Sequence, residues 1–111
     1  MADDERTISI SKQFSRFPAG RYLGDGPYSG EAFRERLLVP ALASGHRLKI
    51  DFDGTAGFGS SFLEEAFGGL VRQGWTADAL LARVNFKADS DPSIIDEVVG
   101  YIKGAAGGGS L

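Results

Sequence analysis

Residues 48–70 read LKIDFDGTAGFGSSFLEEAFGGL. Leu48, Ile50 and Phe52 alternate with polar residues, the pattern of a strand with one buried face over Arg47 to Asp53. A Gly-rich turn follows. From Ser60 the apolar residues change to helical spacing, with Phe62, Leu63, Ala66, Phe67, Leu70 and Val71 on one stripe. Gly74 is the expected stop, because glycine tolerates the left-handed backbone beyond a helix end. The turn itself, GTAGFGSS from Gly54 to Ser61, nearly spells a phosphate-binding loop. Gly54 and Gly59 have the G-x-x-x-x-G spacing, but the lysine position holds Ser60, and Ser61 follows. Without that lysine nothing in the motif neutralises the β- and γ-phosphates, and no aspartate for magnesium is identifiable on a second strand. Two readings of the serines remain. They cap the helix, or they are displayed at a helix N-terminus whose free N–H groups and dipole favour an anion, including a phosphate attached to serine.

The elements on either side support one small α/β domain. The chain has 111 residues, 42% hydrophobic and 24% charged, with net charge −3. That composition suits a globular chain rather than a disordered one. Acidic and basic residues are interspersed, so no basic stripe points to nucleic acid or an anionic membrane. There is no cysteine and a single histidine, which excludes disulfides and thiolate sites and makes a poor metal set. No apolar run reaches the roughly 20 residues a membrane helix needs, and MADDER opens no signal peptide; the expected location is the cytoplasm. No cofactor is implied.

TISISKQF, Thr7 to Phe14, alternates as a half-buried strand, and a further short strand is expected near Arg21 to Leu23. Ser29 is the expected N-cap of a helix carrying Phe33, Leu37, Leu38, Ala41 and Leu42 on one stripe, kinked or ended by Pro40. TADALL suggests a short helical turn and LARVNFK a strand. DPSIIDEVVGYIKGA suggests a last helix with Pro92 in its first turn. The expected order is β-β-α-β-α-β-α: a mixed sheet of about four strands covered by three to four helices. Residues 1–6 are expected to be disordered, 7–104 to form the domain, and 105–111 to be a flexible Gly-rich tail.

Several residues invite chemistry. A serine hydrolase would need a base beside Ser60 or Ser61, but His46 precedes the strand that the serines follow. About six strand residues at roughly 3.3 Å each separate them, against the roughly 3 Å a hydrogen bond needs. Glu64 and Glu65 are adjacent on a helix and diverge by about 100°, so they are not expected to converge on one substrate. They suit the helix's first turns electrostatically, or they line a partner surface. Arg16 and Arg21 flank FPAG and are candidates to grip a phosphate or carboxylate. Asp51 and Asp53 face solvent or cap the turn.

The same central segment resembles that of STAS domains, the fold of bacterial anti-sigma-factor antagonists. Asp51-Phe52 match the strand end, Phe58 the apolar turn position, Ser60-Ser61 the serine pair and Leu63 the leucine behind it. More closely, FSRFPAGR, YSGEAFRERLL, IDFDG and GSSFLEEAFGGL resemble the STAS-like domain family of unknown function. The resemblance implies a non-enzymatic regulatory domain. It would bind a protein partner, a histidine-kinase-like ATPase, through Gly59 to Glu65, with Ser60 as first phosphoacceptor and Ser61 as second. Two positions depart from the antagonist pattern. Gly59 stands where an aspartate precedes the serines, and Phe62 where a glycine follows them. The alternative is a small-molecule or anion module, for nucleotide or phosphate, at the Gly59–Ser61 helix N-terminus with Arg16 or Arg21. The chain is expected to be a monomer, or a homodimer through its first strand.

Overall fold

The computed structural model describes residues 4–108. In chain order it has β1 (Glu5–Ser9), a single turn α1 (Ile10–Gln13), a 3-10 turn (Leu23–Asp25), α2 (30–43), β2 (Arg47–Asp51), α3 (60–72), α4 (Ala77–Arg83), β3 (Val84–Lys87) and α5 (Ser93–Gly108). The sheet is three-stranded and parallel throughout, in the order β1-β2-β3. Each crossover steps the same way along the sheet. With the right-handed connection that parallel strands favour, α2, α3 and α4 therefore fall on one face. Ile8, Leu48, Ile50 and Val84 point into that face and are buried. The residues between them, Thr7, Lys49 and Asn85 in one row and Ser9, Asp51 and Lys87 in the next, form a polar opposite face.

Sequence expectations need correction at several points. The strand near Arg21 to Leu23 is a turn. The N–H groups of Arg21 and Tyr22 both donate to Asp25 Oδ2, at 3.1 and 2.8 Å, and so are spent locally instead of on a sheet neighbour. The sheet accordingly has three strands among the described residues and is parallel, not mixed, and five helices accompany it. The first strand stops at Ser9, whose hydroxyl caps α1 by accepting from Lys12 N–H. Ile10 keeps its expected place inside, but as a helical residue that is fully buried. β1 itself begins at Glu5, and Glu5 and Arg6 lie in register with Arg47 and Leu48. At the other end α5 runs to Gly108. Residues 1–3 and 109–111 fall outside the described residues.

Pro40 does not end α2. A π-helical stretch, Arg34–Leu38, precedes it, Leu38 and Val39 keep helical backbone angles, and the helix continues through the proline to Ala43. Ser29 caps α2 as its sequence position suggests, accepting from Ala32 N–H at 3.2 Å. Gly74 ends α3 with φ +119°.

α2 and α3 cross at very short range. A Cβ on Gly30 would run into the Phe62 carbonyl oxygen, and one on Gly69 into the Arg34 guanidinium. Around this crossing the rings of Phe14, Phe33, Phe62, Phe67, Phe52 and Phe58 form a continuous aromatic core, with neighbouring centroids such as Phe14–Phe33 at 5.3 Å and Phe52–Phe58 at 5.4 Å. Gly30→Ala is expected to push the helices apart and lower stability by about 1–3 kcal/mol. Gly59→Ala, whose Cβ would meet nothing within 4 Å, should change it by less than about 1 kcal/mol. Urea melts of the two variants check the difference.

Candidate functional site

The GTAGFGSS turn is held from both sides. Gly54 has φ +93°, and Ser11 Oγ packs where a side chain would stand, itself donating to the Asp53 carbonyl at 3.1 Å. Ala56 N–H donates to the Arg16 carbonyl at 2.8 Å, and Thr55 Oγ1 to the Phe52 carbonyl. The turn is thereby tied to the long loop of residues 15–29. Phe58 is half-buried and lays its ring against Phe52 and Phe62, which fixes how the chain enters α3.

Gly59 is the N-cap of α3 and supplies no side-chain hydrogen bond. Ser60 and Ser61 are the first two helical residues, not its caps, and both are exposed, as is Gly59. The capping account of these serines is therefore set aside by geometry. They differ in their neighbours. Ser60 lies beside the Tyr101 hydroxyl on α5, which donates to Glu97 Oε2 at 2.7 Å. That hydrogen bond to Glu97 is the main cause of a raised phenol pKa, and Ser60 partly offsets it. Phe62 does not reach the surface. It is fully buried among Phe14, Phe33 and Phe58, so the bulky ring at this position obstructs no approach from outside.

Behind the serines, Glu64 and Glu65 converge on shared cations, contrary to their helical divergence. The backbone directions do diverge, but a guanidinium fork spans the gap. Arg21 Nη1 contacts Glu64 Oε1 at 2.6 Å and Glu65 Oε1 at 3.3 Å. Arg72 contacts Glu64 Oε2 at 2.7 Å and Glu65 Oε1 at 3.3 Å. Glu65 is 7% exposed, and its second carboxylate oxygen takes Arg34 Nη1 at 2.8 Å. The same nitrogen donates to the Glu65 carbonyl, at 2.6 Å. Arg34 is 6% exposed and extends to Glu35, which also accepts from Gln73 at 2.7 Å. Nothing in the apolar periodicity marked Arg34 as a core residue. The available signal was Gly69 in mid-helix, which leaves the space its guanidinium fills.

Arg21 thus latches the 15–29 loop onto α3 and is not a free anion grip. Arg16 is exposed. The loop also displays Phe17, Tyr22, Leu23 and Tyr28, 44–68% exposed. Asp53 neither faces solvent alone nor caps the turn only. Its carboxylate receives Lys87 Nζ at 2.7 Å and the N–H groups of Ser90 and Asp89, at 2.9 and 3.1 Å, and so binds the end of β2 to the β3–α5 connection. Asp51 accepts the Asp53 N–H at 2.9 Å. His46 immediately precedes β2, at the opposite end of that strand from the turn that carries the serines, and its carbonyl accepts Arg83 Nη2 at 2.7 Å. Among the described residues no cluster of three or more His, Asp or Glu is placed to hold a metal, and no helix is long and apolar enough to cross a membrane.

The carboxyls have a common electrostatic sign. Hydrogen bonding from Arg72 lowers the Glu64 pKa from its ordinary 4.5; burial opposes this and Arg21 reinforces it. Gln73, then Arg34, lowers Glu35. Lys87, then the Ser90 N–H, holds Asp53 well below the usual carboxylate range. A folded-state pKa below the unfolded one adds stability that is present above the unfolded value and is lost as pH falls through the folded one. The thermal midpoint should therefore hold near neutral pH and fall as acid is added below the ordinary carboxylate values of 4.5 and 3.8. Glu64→Gln and Asp53→Asn should each start lower at pH 7 and lose less on acidification. Melting curves from pH 7 to about pH 2 test the sign. Glu65→Ala, which leaves Arg34 buried without its carboxylate, should cost about 3–5 kcal/mol, and Arg34→Met combined with Glu65→Leu much less than the sum of the two single changes; chemical denaturation of the single and double variants measures it.

Comparison with known proteins adds one match. The profile of the family described as "STAS-like domain of unknown function (DUF4325)" covers residues 29–93, more than half of the chain. It includes the α2 cap, the β2–turn–α3 unit and the Glu64–Glu65 cluster, and stops short of FSRFPAGR. No curated protein matches the chain, and no solved structure does.

Proposed function

The chain belongs to the family of STAS-like domains of unknown function, and from that premise we propose that it is a non-enzymatic regulatory domain that docks a protein partner at the start of α3. The observation that carries this reading is the pair Ser60 and Ser61. Both are exposed on the first helical turn and neither is needed as a cap. They stand on a support of buried aromatic rings and an ionic cluster of three arginines and two glutamates, Arg21, Arg34, Arg72, Glu64 and Glu65, which is how a small binding surface keeps its shape. The neighbouring 15–29 loop offers Phe17, Tyr22, Leu23 and Tyr28 as apolar contact area. By the family resemblance the partner is an ATPase of the histidine-kinase-like class, in the cytoplasm.

Phosphorylation is the proposed switch. A phosphate on Ser60 would enter a site already bordered by Glu64 and by the Tyr101–Glu97 pair. Two added negative charges there would repel an acidic partner surface or disrupt an apolar one. Ser60 is also one helical turn from Glu64, so the phosphate would compete for Arg21, the residue that pins the loop to α3. The anion-module alternative is less well supported, because Arg21 is committed to two carboxylates and Arg16 alone of the two candidates is unengaged.

The test is capture from host lysate with wild-type, Ser60→Asp and Ser61→Asp baits, followed by mass spectrometry of prey and bait. The expected result is an ATPase or other regulator retained by the wild type and lost with Ser60→Asp. Equal retention by all three baits would remove the switch. A thermal shift with phosphate or nucleotide that disappears in Ser60→Asp and Arg16→Ala would instead favour the anion reading.

A further inference from the structure

A groove of about 430 Å³ lies between the outer edge of β1 and α2, remote in sequence from the serines. Arg6 and Arg36 line it together with Leu37, Pro40, Ala41 and Gln13. Both arginines are exposed, and neither has an acidic partner among the described residues. Their state contrasts with that of Arg21, Arg34 and Arg72, each of which is ion-paired. The adjoining strand is also incomplete. Among the described residues β1 pairs with β2 on one side only. Arg47 N–H bonds to the Asp4 carbonyl at 3.2 Å. In a parallel ladder alternate residues then turn to β2, which leaves the N–H and C=O groups of Glu5 and Thr7 facing outward.

We propose that this edge is a docking site for an extended acidic segment of a protein partner, which joins the sheet as a further strand. Its backbone pairs with Glu5 and Thr7. Side chains on one of its faces meet the groove at every second residue. Carboxylates among them pair with Arg6 and Arg36, and an apolar one rests on Leu37, Pro40 and Ala41. Charge selects this occupant over a second copy of the chain. Two copies joined edge to edge about a two-fold axis would bring Arg6 and Arg36 of both against each other, a like-charge contact that opposes association. The site is separate from the start of α3, so it stands or falls independently of the serine reading.

The probe is a fluorescein-labelled peptide of alternating Glu and Val, beside a counterpart with Lys for every Glu. Each is titrated with the full chain at low ionic strength and followed by anisotropy. Saturable binding of the Glu–Val peptide alone is expected. It should weaken as salt is raised and fall about tenfold or more in Arg36→Glu. Thr7→Pro removes an outward-facing donor from an edge strand and leaves the β1–β2 ladder intact, so it should abolish binding while the protein still melts cooperatively. If that variant fails to fold, Arg36→Glu, an exposed change on α2, carries the test alone. Absence of saturable binding, equal binding of both peptides, or unchanged affinity in Arg36→Glu would overturn the proposal. So would full binding by a folded Thr7→Pro. A light-scattering mass of two chains that reverts to one in Thr7→Pro would give the edge to a second copy and overturn it as well.

Discussion

Arg34 crosses from α2 to α3 and ends against Glu65, where it meets both a carboxylate oxygen and the main-chain carbonyl of the same residue. Most of the molecule's organisation depends on this contact. The guanidinium fits because Gly69 has no side chain, and the helices can come that close because Gly30 has none. A buried ion pair is weak evidence of net stability, since desolvation offsets its attraction. What it favours is one register of the two helices, because any slip of one along the other strands a charge in the apolar interior. Both helices open into a π-helical stretch here, Arg34–Leu38 and Glu64–Gly68. The Glu65 carbonyl serves the Gly69 N–H and Arg34 together. Such irregular turns are uncommon and tend to coincide with functional positions. In this fold they coincide with the cluster that supports the start of α3.

The same contact shows how far the sequence could be read. Elements whose signal is local were legible: the Ser29 cap, the alternation of Leu48, Ile50 and Phe52, the Gly74 stop. Where a long-range partner decides, the local signal misled. Arg21 to Leu23 has the look of a short strand, but Asp25 takes its amides before any neighbour can. Glu64 and Glu65 diverge as helix geometry requires, yet arginines from a loop 43 residues away in sequence and from the next turns of the helix reach both. The stripe of Phe33, Leu37, Leu38, Ala41 and Leu42 omitted Arg34, since a charged residue scores as surface unless its acid and its glycine are already known to face it. For the candidate site, the serines' exposure followed from their position, whereas the burial of Phe62 depended on rings contributed by α2 and by Phe14.

A parallel sheet usually has both faces covered, and this one has a single apolar face. The cross-strand register explains how the other face can remain polar. Lys87 sits in the row of Ser9 and Asp51 and ties to Asp53. Asn85 reaches across the middle strand to Glu5 at 2.8 Å. The uncovered side is thus largely satisfied by its own residues, and it lacks the apolar area that drives a large permanent interface. The same reasoning does not extend to the rim of β1, where backbone groups and two arginines have no internal answer among the described residues. Polar groups that are compensated in place invite no partner, while those left uncompensated at an edge do. On that physical distinction, and not on burial alone, the open face reads as solvent-facing surface and the β1 edge as a surface for binding.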